Sequence, residues 1–151
     1  METLKLNSFK LIGLKLPHKT TNKDGKSAID CGNLWQKFET QNFKDQIPDK
    51  INNNIYAVYF DYVGDYNAPF SYFIGCKVPM KTPTPEGLDY LLIPSKNYKK
   101  FTAKGVMPQC ISNAWKHIWD TVTERAYLYD FEVYDERSSD WNNAEIDIFI
   151  S

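Results

Sequence analysis

Glu132 is the residue whose type and surroundings point most directly to chemistry. It sits in the run Tyr127 to Tyr134 (YLYDFEVY), flanked by Phe131 and Val133. A short run this rich in aromatic residues reads as a strand. Side chains alternate across a strand. If Phe131 and Val133 pack on helices, Asp130, Glu132 and Tyr134 share the opposite face. An acid among aromatic rings has a definite character. Desolvation without a partner raises its pKa, and a bound cation reverses that shift. Each ring face adds roughly 0.5–2 kcal/mol of cation–π attraction. The composition therefore suits a flat or greasy cation. The alternative is an ordinary solvated acid on an open sheet face, and parity alone leaves both readings open.

The other chemistry-bearing residue types form no constellation. His18 lies in a loop beside Pro17, and His117 lies off the apolar face of its helix; neither has a second ligand at metal spacing. Cys31 and Cys110 fall near helix starts, where a thiol pKa can drop, but no His and Asp or Asn pattern accompanies them. The third cysteine, Cys76, is also far from the others, so neither a disulfide framework nor a zinc site is indicated. There is no GxGxxG, GxxxxGK[ST] or GxSxG. No metal and no cofactor are expected. On spacing alone Trp35, Trp115 and Trp119 read as core residues. Trp141 follows a polar loop and would suit stacking at a cleft edge.

Several elements must position these residues. From Leu4 to Leu16 the apolar residues alternate, with a change of phase near Phe9, which predicts one long strand with a bulge or bend. Ser27 and Asp30 have the spacing of a capping box. Behind them Cys31, Leu34, Trp35 and Phe38 recur at helical period, ending near Asn42. Ile55 to Tyr62 and Ser71 to Val78 read as an antiparallel pair of strands, and Leu88 to Ile93 and Tyr98 to Ala103 as strand segments around Pro94. Met107, Ile111, Ala114, Trp115, Ile118, Trp119 and Val122 form the clearest amphipathic helix, with Pro108 near its first turn. Glu145 to Ile150 (EIDIFI) closes the chain as a strand.

The order strand, helix, strand, strand occurs twice, in pseudo-repeats of about 1–79 and 88–151 of a single domain 1–151. Leu34-Trp35 with Phe38 matches Ala114-Trp115 with Ile118, and Phe60-Asp61 matches Phe131-Glu132. By that match Asp61 is the counterpart of Glu132, with Tyr59 beside it. Two such halves predict an α+β fold: one antiparallel sheet, both helices on one face, and a cleft at the seam.

Composition excludes other classes. The chain has 151 residues, enough for one domain with a core. Its net charge of −1 gives no electrostatic reason to seek nucleic acid or an anionic membrane. Arginine, the usual bidentate reader of guanine, occurs only at 125 and 137. No apolar signal core or membrane-length stretch is present, so a reduced, cytoplasmic protein is expected.

The segments VYFDY (Val58 to Tyr62), APFSYFIGCKV (Ala68 to Val78), IPSKNYKKFTAKG (Ile93 to Gly105), FEVYDE (Phe131 to Glu136) and the closing EIDIFI, in this order and spacing, resemble the GyrI-like effector-binding domains. The same domain is the ligand-sensing part of some AraC-type and MerR-type regulators. The resemblance covers nearly the whole chain. It implies a duplicated β-α-β-β (SHS2-like) fold with a ligand cleft on the pseudo-twofold seam, in a stand-alone form. It also implies that Glu132, the acid of the FE-x-Y motif, faces bulky, hydrophobic, often cationic compounds there. Trp35, Tyr72, Trp115, Tyr134 and Trp141 are then candidates for the aromatic walls. Ser71 and Asp130 stand where the family often has Arg and Pro, departures that bear on ligand identity. The expected function is capture of a small amphipathic, cationic or aromatic molecule, without direct nucleic-acid or membrane contact. One alternative is hydrolysis of cyclopropane-bearing compounds in the same cleft, with Glu132 as acid or base and Tyr72 or Tyr134 assisting. The other is a protein-interaction module of the gyrase-inhibitor kind.

Overall fold

The computed structural model describes residues 2–151. The expected long first strand is two strands, β1 (Glu2–Leu6) and β2 (Phe9–Lys15), that pair with different partners. The change of phase near Phe9 marks the chain crossing from one half of the sheet to the other. There follow α1 (Lys26–Thr40), the short α2 (Phe43–Gln46), β3 (Ile55–Phe60) and β4 (Ser71–Val78). The second half repeats the order with β5 (Asp89–Ile93), β6 (Lys96–Gly105), α3 (Gln109–Thr121), β7 (Tyr129–Tyr134) and β8 (Ala144–Ile150).

All eight strands form one antiparallel sheet in the order β1-β6-β8-β7-β3-β4-β2-β5. The first strand of each half is exchanged onto the other: β1 pairs with β6 and β5 with β2. The registers match, with Leu6 opposite Lys96 and Phe9 opposite Ile93. Glu2–Leu6 thus corresponds to Asp89–Ile93, and Phe9 to Lys96. Carried through the ladders, this correspondence makes Ala57 the counterpart of Glu132, and the two face each other directly across the β3–β7 seam. Asp61 is not the counterpart. It lies beyond β3 in left-handed backbone (φ 53°), exposed and ion-paired with Lys19 at 3.2 Å.

The sheet buries both faces. On one, Leu34 and Phe38 of α1 pack on Ile12, Leu14, Ala57, Tyr72 and Ile74, while Trp115 and Ile118 of α3 pack on Ala103, Ile148 and Ile150. Phe131 and Val133 belong to the other face, in a cluster with Phe9, Val58, Phe73 and Tyr98. The parity assumption is therefore inverted: Glu132 and Tyr134 point toward the helices, not away from them. The rings of Phe9 on β2 and Phe131 on β7 lie 5.6 Å apart. Those strands are three places apart, about 14 Å on a flat sheet. The sheet is therefore curled tightly around its own aromatic cluster.

Curling needs a place where strands approach closely. Gly13 and Gly75 are directly opposed on β2 and β4. A Cβ on Gly13 would lie 1.9 Å from the Ile74 carbonyl oxygen, so side chains are excluded there. The expected Ser27–Asp30 capping box does not form. Gly25 begins α1 in left-handed backbone without a side-chain cap; Asp30 instead accepts from Thr20 Oγ1 at 2.7 Å, and the Ser27 hydroxyl donates to Asn22. No helix among the described residues is long and apolar enough to cross a membrane.

Candidate functional site

The two helices and the β3–β7 seam converge on Glu132, which is 2% exposed. Its partner across the seam, Ala57, is small and fully buried, which leaves space for a longer side chain opposite. Three donors close on the carboxylate. The Trp115 indole N–H from α3 donates to Oε2 at 2.6 Å, the Tyr59 hydroxyl from β3 donates to the same oxygen at 2.9 Å, and the Tyr134 hydroxyl donates to Oε1 at 2.7 Å. From α1, the Trp35 indole N–H donates to the Tyr72 hydroxyl at 2.8 Å.

The rings form one continuous wall. Tyr59 lies 5.0 Å from Tyr72, 5.1 Å from Trp115 and 5.6 Å from Phe70 between ring centres, and Trp35 stands edge-on to Tyr134 at 5.0 Å. Trp35, Tyr59 and Tyr134 are half-buried, so this wall reaches the surface on one side. Trp35–Tyr134 and Tyr59–Trp115 are edge-to-face pairs; ring edges carry the positive and ring faces the negative part of the quadrupole, so aromatic faces attract cations.

Burial raises the Glu132 pKa, and the bonds from Tyr134, Trp115 and Tyr59 offset this only in part. Burial, reinforced by the Glu132 charge, also pushes Tyr59, Tyr72 and Tyr134 well above the usual phenol range. The Cys31 thiol on α1 is raised for the same two reasons, so it stays protonated and is no nucleophile. The described residues include no cluster of three or more His, Cys, Asp or Glu that could hold a metal ion.

Five of the six residues singled out by sequence meet here: Glu132, Trp35, Tyr72, Trp115 and Tyr134. Trp141 does not join them. It stands 61% exposed in the turn before β8, where its carbonyl accepts from the Met107 N–H and holds the turn to the start of α3. Tyr59 belongs to the site and was absent from the candidate set. Its signal was its place two residues from Asp61 on the same face of the expected strand, and the β3–β7 register brings it to Glu132 through Ala57 instead. Two surface grooves lie elsewhere. One of about 600 Å³ runs along β2 and α1 past Leu16, Lys37 and Asp89, and one of about 410 Å³ lies beside Glu2 and Lys100.

One curled antiparallel eight-stranded sheet with helices packed on it is the fold of effector-binding proteins. Residues 3–151 match the integron-associated effector binding protein family (Cass2), and the chain belongs to that family. It is 27% identical to an integron cassette protein from the mobile metagenome of Vibrio cholerae, covering 99% of this chain and 94% of that one with a TM-score of 0.75. The structure of SAV2435 bound to tetraphenylphosphonium has the same fold at a TM-score of 0.80 and 16% identity, over 99% of this chain and 91% of that one. A putative transcriptional regulator protein of Bacillus subtilis, YobU, is 23% identical over 122 residues, 78% of this chain and 76% of its own.

Proposed function

We propose that this protein binds an amphipathic organic cation at the seam, with Glu132 as its counter-charge. One observation carries the reading. Glu132 is a buried carboxylate with three hydrogen-bond donors and no cationic partner among the described residues. An isolated buried charge is costly, and a guest cation flanked by ring faces supplies what the fold withholds. The tetraphenylphosphonium complex of a protein with the same fold supports this choice of guest. Binding would hold the compound away from its target or report it to a regulator.

The raised pKa adds a signature. Without a guest, burial holds the Glu132 pKa above its ordinary value; a cation favours the carboxylate and lowers it. Where the pH lies near or below the raised value, binding releases a proton, and affinity increases as pH rises through it. The test is a tetraphenylphosphonium titration followed by quenching of Trp35 and Trp115 fluorescence. Glu132→Gln should weaken binding roughly 10- to 150-fold, the value of one charge-assisted interaction. Unchanged affinity in that variant sinks the counter-charge role. Hydrolysis gains no specific support from the geometry: Tyr59, Trp115 and Tyr134 take three of the four carboxylate lone-pair positions, which leaves a single one on Oε1 for the proton a general base would accept.

A further inference from the structure

The segment from Val122 to Leu128 connects α3 to β7 without helix or strand and carries Arg125, whose side chain is 1% exposed. Its Nη2 donates to Asp130 Oδ2 at 2.7 Å. The guanidinium lies 4.2 Å from the Tyr127 ring centre and 5.8 Å from that of Trp115. Its Nε and Nη1 are buried and reach no acceptor among the described residues. Asp130 cannot turn to serve them. Its Oδ2 also accepts from the Tyr62 hydroxyl at 2.6 Å, and its Oδ1 accepts from the Ser151 backbone N–H at 2.7 Å and the Ser151 hydroxyl at 3.0 Å. With these and Arg125 its four lone-pair positions are filled.

Trp115 links the two charges. Its indole N–H points at Glu132 while its ring lies beside Arg125. Glu132 and Arg125 thus both border the Trp115 indole, and the guanidinium keeps two buried donors without an acceptor among the described residues. We propose that Arg125 is a second anchor of the same site, holding a carboxylate on the guest. The preferred ligand class is then an amphipathic zwitterion, not a bare lipophilic cation. This rests on the cation reading above and specifies what else the guest carries. Guanidinium–carboxylate bonds are among the stronger hydrogen bonds, so the preference should be large enough to measure.

The matched probes are rhodamine 110, a cationic xanthene with a free carboxylate, and rhodamine 123, its methyl ester. The wild-type protein should bind rhodamine 110 about tenfold more tightly, as expected for one charge-assisted bond. In the double variant Arg125→Met, Asp130→Asn, which removes both members of the buried pair, the ratio should fall to near one. Arg125→Lys, which keeps a charge for Asp130 but lacks the extra donors, should lower the ratio as well and serves if the double variant does not fold. Equal binding of the two dyes by the wild type overturns the proposal and leaves those donors to ordered water. A ratio that survives both substitutions overturns it too. Glu132→Gln separates this from the parent reading: it should weaken both dyes alike, and dyes indifferent to it refute the cation site itself.

Discussion

Replacing Glu132 with glutamine exchanges a buried carboxylate for an amide of nearly the same shape. The geometry fixes how the amide must sit. Trp115 can only donate, so the amide oxygen must face Trp115 and Tyr59; the amide nitrogen then faces Tyr134, whose hydroxyl rotates to accept. All three hydrogen bonds survive, in the pattern a protonated Glu132 would make. At pH 4 the two proteins should therefore differ by less than about 1 kcal/mol, the scale of a rearranged neutral bond. At higher pH they diverge. The folded-state pKa of Glu132 is raised, chiefly by burial, above its ordinary 4.5. The folded protein thus holds the proton more tightly than the unfolded chain. The contribution of Glu132 is most favourable below the ordinary value and is lost as pH rises through the folded one. One differing proton changes stability by at most about 1.4 kcal/mol per pH unit. Urea unfolding of both proteins from pH 4 to pH 8 isolates this difference, since every other titrating group is shared. Glu132→Gln should gain on the wild type through the window above pH 4.5 and then hold a constant advantage. A flat difference, or an advantage for the wild type that grows with pH, refutes the claim that burial outweighs the three donors.

Other substitutions test the frame around the site. Ala57→Leu crowds the position directly opposite Glu132; it should cost roughly 1–3 kcal/mol by overpacking and abolish tetraphenylphosphonium binding, read by denaturation and titration. Gly13→Ala forces a Cβ onto the Ile74 carbonyl and should cost about 3 kcal/mol or more, seen as a lowered Tm. Arg125→Met alone leaves Asp130 buried and unpaired, a loss of about 3–5 kcal/mol, and adding Asp130→Asn should recover most of it. Trp141→Ser should change Tm little, within about 0.5 kcal/mol of stability, because its ring is exposed.

The elements were legible where alternation or helical period is strong. Ser71 to Val78 was read with its observed bounds, and the Met107 to Val122 stripe located α3. Pairing was not legible. Alternation in β1 and β2 reports that each strand has two faces, but not which neighbour it meets, so an exchange between halves read as a bend. The same limit displaced the counterpart of Glu132 from Ala57 to Asp61, since a few matched residue types weigh less than a ladder of backbone hydrogen bonds. Parity around Phe131 failed for a different reason: the curled sheet gives both faces of β7 an apolar environment, and no pattern of polarity distinguishes them. Spacing and parity left Glu132 open between a solvated acid and a site residue, and only the FE-x-Y resemblance put it in a cleft; its burial among Tyr59, Trp115 and Tyr134 comes from the structure. Arg125 carried only the hint of scarcity. The chain has two arginines: Arg137 is engaged by Asp135, Glu145 and Asp147, while Arg125 is paired with Asp130 through Nη2 alone and keeps two buried donors without an acceptor among the described residues.

Duplication explains why the site carries a single unpaired charge. Besides the exchanged ladders β1–β6 and β2–β5, the two halves meet along β3 and β7, where one residue from each faces the other on the axis. Here those residues are Ala57 and Glu132. Had both been acids, two carboxylates within one cross-strand spacing would repel, and one would keep its proton. Had both been small, no counter-charge would exist. The helices contribute symmetrically, Trp35 from α1 and Trp115 from α3, yet their indole N–H groups find different acceptors: the Tyr72 hydroxyl on one side and the Glu132 carboxylate on the other. The aromatic wall is thus supplied twice and the charge once. A frame built this way offers one buried acid to a single positive charge, and the Arg125–Asp130 pair beside Trp115 adds no second acid, only the two guanidinium donors, unpartnered among the described residues, on which the zwitterion proposal rests.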